Sequence, residues 1–283
     1  VTALLAVVFL ILALCPLFSG GKPESPGSGP KEGASEETVE LASIVGMIEI
    51  DDSSTYVMPR PIVYFSLVEE IGGEYDFSRM VTLNKEWNYS EYIKLALNLG
   101  MRSADGMALY ASDKNDLFLE NMDTIEKIVG ILGIEDSIRA VTDELKKAIG
   151  SGDKERVKDL ADKVYTEAQT ALKEQDNEEL AQFMTLGSWI KGAYIMSGSL
   201  MKKYDPEVSK VVALEEVAEA YSTMLEGMEE LVEYDDTLSE IAEALPTIKD
   251  LVAVEENEPV PEQNIQKLYS ITSGLTTTIA EMD

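Results

Sequence analysis

From residue 93 onward the apolar side chains return every three or four positions, and that spacing constrains the fold more than any other feature. Ile93, Leu97, Gly100, Ala104, Met107 and Ala111 form one such series; Phe118, Met122, Ile125, Val129 and Leu132 form the next. Ile138, Val141, Leu145 and Ala148 follow, ended by Gly150-Ser151-Gly152-Asp153, and then Val157, Ala161, Val164, Ala168 and Ala171. Leu180, Phe183, Gly187, Ile190, Tyr194, Ser197, Met201 and Tyr204 make the longest seam. Val211 to Val232 carries another after Asp205-Pro206, and Ile265 to Met282 a last one after Pro259 and Pro261. A 3,4 alternation gathers apolar residues into one stripe per helix, the pattern of helices packed side by side. The breaks are short, so each helix is expected to turn back on its predecessor. The sequence therefore predicts an all-α antiparallel bundle of about seven or eight helices over residues 38–283, with 38–89 the least regular part. There, Pro61 is placed to open a helix running to about Ile71, and Ser90 to cap the helix that follows.

Composition removes much of the possible chemistry. The 283 residues include no histidine and one cysteine, and 53 acidic side chains oppose 23 basic ones, a formal charge of -30. Without histidine there is no Ser-His-Asp or Cys-His nucleophile pair, and no imidazole ligand or pH switch. One cysteine excludes an internal disulfide framework. The negative charge argues against nucleic acid and anionic lipid surfaces as partners, since both are recognised through Lys and Arg.

The N-terminus differs from the rest. Residues 1–19 begin with an uncharged apolar block, VTALLAVVFLILALCPLF, that reads as the core of an export signal. Cys15 admits two readings: a lipidated anchor, or a residue discarded by cleavage near Ser19-Gly20-Gly21. Both imply export, to the periplasm or outer cell envelope. Residues 20–37, rich in Gly, Pro, Ser and Glu, hold too little apolar surface to offset their ordering entropy and are expected to be a flexible spacer. Membrane contact would then run only through this segment or its lipid.

Two glycines inside the longest seam, Gly187 and Gly192, need a reason, because each costs about 1 kcal/mol in a helix interior. Ala96, Gly100, Ala104 and Ala108 supply a matching small-residue stripe at four-residue spacing on the earlier helix. Either the two helices cross at close range, or the gap opens a pocket between residues 93–111 and 180–204 lined by Arg102, Asp105, Trp189 and Tyr194. Arg102 and Asp105 stand three apart, close enough to pair on one helix face.

The stretches Leu99-Gly100-Met101-Arg102-Ser103-Ala104-Asp105 and Gly187-Ser188-Trp189-Ile190-Lys191-Gly192-Ala193-Tyr194 resemble the LGxxxAD and GxWxxGxY signatures of an all-helical family of exported, lipoprotein-like bacterial proteins. Pro59-Arg60-Pro61 resembles the proline turn that precedes them. The resemblance implies a helical fold and export, and transfers no catalytic residue.

Carboxylates are the remaining resource. Residues 211–283 hold 18 acids and two bases, more than half of the net charge, with no Lys or Arg between Lys210 and Lys249. Glu216/Glu219 and Glu230/Glu233 have the spacing of bundle metal sites, but a di-iron site of the ferritin type also needs Glu-x-x-His. Calcium through oxygen ligands stays open, although Asp113-Lys114-Asn115-Asp116-Leu117-Phe118 lacks the glycine and acid spacing of an EF-hand loop. A carboxylate hydrolase would want aromatics for sugar stacking, and only Trp87 and Trp189 are tryptophans. Ser199-Leu200-Met201-Lys202 fits a Ser-x-x-Lys pattern without its partner signatures. The reading is an exported, membrane-tethered helical binding or scaffold module with no catalytic residue, cofactor or metal assigned. A small-ligand or calcium-binding protein stands as the alternative, ahead of a hydrolase.

Overall fold

In the computed structural model the described residues are 47–50, 54–57, 65, 66, 68, 75–81, 91–255 and 257–281. The chain divides at Val39–Glu40 into two units. The expected export segment, Cys15, the spacer, Pro59-Arg60-Pro61 and most of the helix expected from Pro61 to Ile71 lie outside the described residues, as do Ser90 and Trp87.

The all-α class holds from Glu91 on. The helices are α1 (Tyr92–Ala111), α2 (Asn115–Ile131), α3 (Glu135–Ser151), α4 (Lys154–Glu174), α5 (Glu178–Lys202), α6 (Pro206–Ser209), α7 (Glu215–Glu226), α8 (Glu229–Tyr234), α9 (Asp236–Val252) and α10 (Glu262–Ala280). Among the described residues before them, Phe65, Ser66 and Val68 are helical, and two further features stand out. Strands β1 (Met47–Ile50) and β2 (Ser54–Val57) pair antiparallel with Met47 opposite Val57, a small exception to the helical expectation. A 3₁₀ turn at Phe77–Met80 then packs on α1 and α5.

The seams at 93–111, 118–132, 138–148, 157–171, 180–204 and 265–282 each correspond to one helix. The series from Val211 to Val232 does not. It breaks into a 3₁₀ turn at Lys210–Val212, α7 and α8, interrupted at Ala213-Leu214 and Gly227-Met228. Helix α9, with Leu238, Ile241, Leu245, Ile248 and Leu251 buried, is an addition to the expected set. Pro246 stands on its exposed side, where the carbonyl that loses a backbone partner is within reach of water.

Three of the sharp links between successive helices use one device. Asp113, Gly133 and Asp176 adopt positive φ, and the amide after each bonds five residues back: Lys114 to Leu109, Ile134 to Val129 and Asn177 to Leu172. This left-handed cap closes the last helical turn and reverses the chain within three residues.

Helix α5 is the axis of the fold. From Ala181 to Leu200 nearly every residue is buried, the state expected of a helix that is apolar all round. It packs on α1, α10 and α4, while α2 covers α1, α3 lies on α4, and α9 joins α7 to α10. The α1–α5 crossing is close because two glycines meet it. A Cβ built on Gly100 would overlap the Met184 carbonyl, and one on Gly187 the Leu97 carbonyl. Asn98, buried in α1, donates to the Ile279 carbonyl at 2.8 Å and so satisfies the C-terminal end of α10.

Candidate functional site

Two groups of charged side chains flank the segment Tyr75–Val81, one in the interior and one in a cleft. The interior group begins with Lys191, the only charged residue between Ala181 and Leu200. Its side chain is 0% exposed and its ammonium lies 3.2 Å from a carboxylate oxygen of Asp105, whose side chain is 1% exposed. Lys191 also donates to the Met80 carbonyl at 3.2 Å and stands 4.9 Å from the Tyr194 ring centre. Tyr194 stacks on Tyr269 at 5.4 Å. Asp105 and Lys191 each lie four or five residues beyond the glycine that marks the crossing, which is about 6–7.5 Å of helix. The pair can meet only because α1 and α5 run in the same general direction.

Burial governs the titration of this group. Desolvation raises the Asp105 carboxyl above its usual range, against the opposing fields of Lys191 and Arg102. Burial lowers the Lys191 ammonium, against the attraction of Asp105. Both shifts disfavour charge, so the dry surroundings outweigh the pairing on each side. Burial also raises Tyr194, with its hydrogen bond to Tyr269 adding to the effect.

Of the residues expected to line a pocket, Arg102, Asp105 and Tyr194 do gather around Lys191, but Trp189 does not join them. It lies 3% exposed against Tyr221, at 5.2 Å between ring centres, on another side of α5. The space expected to floor the pocket is filled by backbone at Gly100 and Gly187. The small-residue stripes serve the close crossing, because a cavity there would forfeit the packing that the glycines permit. Trp189 is likewise unavailable to stack a sugar, and Ser199 donates within its own helix to the Ile195 carbonyl. Among the described residues no group of three or more acidic or thiol side chains is placed to hold a metal ion.

The second group was not anticipated. A cleft of about 630 Å³ lies where the C-terminal end of α1 and its link meet the start of α4 and the segment at Tyr75–Phe77. Its apolar part includes Phe65, Phe77 and Tyr110, with Phe65 edge-on to Phe77 at 5.0 Å and Tyr75 stacked on Phe77 at 5.8 Å. Its polar part includes Lys114, Lys154, Lys158, Asp76 and Asp113. Asp76 accepts from Ser78 and pairs with Arg79 at 3.2 Å, and the Ser78 bond is the main cause of its lowered pKa. Asp113 lies 3.6 Å from Lys154.

The same short segment builds both groups. Tyr75 donates to the Lys203 carbonyl at 3.4 Å, the Ser78 amide to the Ser112 hydroxyl at 3.1 Å, and the Met80 carbonyl accepts from Lys191. One end of this strap walls the cleft while the other is fastened inside the core. The sequence did hold a signal for Lys191: a lone cation in twenty otherwise uncharged residues, four positions from Gly187 and hence on the same face. No pattern in the sequence announces the cleft, since its lining comes from segments far apart in the chain.

Among the described residues no helix is long and apolar enough to cross a membrane. Comparison with protein families, with curated proteins and with solved structures finds no match for this chain.

Proposed function

We propose that this chain is an exported helical module of the cell envelope, tethered through its N-terminal segment, that works by binding a small molecule. The cleft between α1, α4 and the strap carries the reading. At about 630 Å³ it falls within the size range of ligand pockets, and it combines aromatic surface with convergent polar groups. Export is supported by the apolar block at 1–19, the spacer at 20–37 and the resemblance of the Gly100 and Gly187 segments to an exported helical family. The binding reading is tested by thermal unfolding with a broad set of metabolites. A ligand of the cleft raises the Tm of the wild-type chain and loses that effect in Ala111→Trp, which fills the cleft from an exposed position. A set in which nothing stabilises the wild type removes the reading. The export reading is tested separately, by mass spectrometry of the mature N-terminus from cells. A diacylated Cys15 or a cut near Gly21 supports it, and an intact Val1 segment on a cytoplasmic protein ends it.

A protein-docking reading has one observation in its favour. Tyr234, 89% exposed, and Leu231 project from α8 among Glu229, Glu230 and Glu233. Binding of an oligolysine peptide that weakens with salt and with Tyr234→Ser would favour it.

A further inference from the structure

Resting on the cleft reading, we infer that the ligand is a small anion, a carboxylate or phosphate carried on an apolar aromatic body. The charge distribution is the first reason. In a chain with more than twice as many acidic as basic residues, three lysines and only two aspartates line this cleft. Both acids are already engaged, Asp76 by Ser78 and Arg79 and Asp113 beside Lys154, while Lys158 stands 3.8 Å from Glu155 on its own helix. An incoming anion therefore meets ammonium groups from two different walls, Lys114 on the link after α1 and Lys154 and Lys158 on the first turns of α4. Convergence from separate elements is what distinguishes a charged site from a charged helix face.

The second reason is the floor. Phe65, Phe77 and Tyr110 are at most 9% exposed, and Tyr75 is half-buried, so the lysines stand at the rim of an aromatic surface. A purely hydrated anion gains nothing from that surface, whereas an aryl group buries area against it. The net charge of -30 speaks against an anionic membrane as the source, since the rest of the chain would be repelled from it. A soluble ligand is the remaining source of this chemistry.

Isothermal titration of the full chain with three naphthalene probes tests the inference: 2-naphthyl phosphate, neutral 2-naphthol and protonated 2-naphthylmethylamine. The expected result is saturable 1:1 binding of the phosphate, weakened by salt and reduced about tenfold or more in Lys114→Gln/Lys154→Gln. Both lysines are exposed, so far-UV circular dichroism and Tm should stay near wild type. If the neutral or cationic probe binds as tightly as the phosphate, or the double variant binds it unchanged, the anion inference is overturned while the cleft reading survives. If none of the three binds saturably, the cleft reading falls with it. 2-Naphthoate in place of the phosphate then separates carboxylate from phosphate recognition.

Discussion

Lys191 and Lys154 stand on two sides of the same strap, and their surroundings give identical chemistry opposite consequences. Lys191 is sealed in the core with Asp105, and its charge is costly there; Lys154 is 62% exposed, and its charge is available to a ligand. A buried ion pair is weak as a source of stability but expensive to break, because the survivor is left uncompensated. The largest effect should follow from breaking it. Asp105→Ala is expected to cost about 3–5 kcal/mol in urea unfolding at pH 7. Deprotonation of Lys191 sets a ceiling of about 5 kcal/mol, the free energy of neutralising an ordinary lysine at that pH. Asp105→Leu/Lys191→Met, which removes both charges, should recover most of the loss; a double variant as unstable as the single would mean that packing, not charge, sets the cost.

The glycines sharpen the same contrast between what the core tolerates and what it does not. A Cβ on Gly100 runs into the Met184 backbone, whereas one on Gly198 meets the Met80 sulfur at 2.5 Å, the far end of a side chain that can move. Gly100→Ala is expected to destabilise by about 1–3 kcal/mol or more, and Gly198→Ala by clearly less. Equal losses in thermal melts would show that the α1–α5 crossing can open after all.

These positions also mark what was legible in the sequence. The 3,4 period exposed most of the helices because burial of a single stripe is imposed by local geometry. The paired small residues exposed the close crossing for the same reason. Arg102, Asp105 and Tyr194 were recognisable as exceptions within apolar helices, yet Trp189 was grouped with them wrongly: five residues separate it from Tyr194, which turns it well away around the helix. The breaks at Gly227 and within 210–214 were hidden because the apolar period continues across them. The cleft had no trace, since Tyr75, Tyr110 and Lys154 line one space only after α2 and α3 have folded back.

The pH dependence should carry the signature of the buried pair with the sign worked out for each partner. The lowered Lys191 pKa means that between its native value and about 10.5 the unfolded chain holds a proton that the native chain lacks, so stability rises with pH there. For Asp105 the native chain holds the extra proton between about 3.9 and its raised value, so stability falls as pH rises through that interval. Relative to Lys191→Met, the wild type should therefore gain stability as pH rises from the lowered Lys191 value toward about 10.5; Tyr194, raised by burial, acts with the opposite sign only above about pH 10. A difference that is flat or falling over that range would place the Lys191 ammonium in a better-solvated setting than 0% exposure allows.

The smallest stability effect should come from the cleft, and it completes the comparison. Lys154→Gln breaks an ion pair whose partners are 62% and 80% exposed, so screening by water leaves little to lose. Its expected cost is within about 0.5 kcal/mol, while affinity for 2-naphthyl phosphate falls several-fold. Lys191→Met should do the reverse through the strap. Lys191 is not among the residues lining the cleft, but its substitution removes the donor to the Met80 carbonyl three residues from Phe77. A loosened strap leaves the aromatic floor less ordered, so the ligand must bear more of the ordering entropy and its affinity drops without any change in the charge it meets. The salt dependence separates the two losses: it should flatten in Lys154→Gln and stay as steep as wild type in Lys191→Met. Unchanged affinity in Lys191→Met would make the buried pair and the cleft independent, the strap then being held well enough by Tyr75 and Ser78 alone.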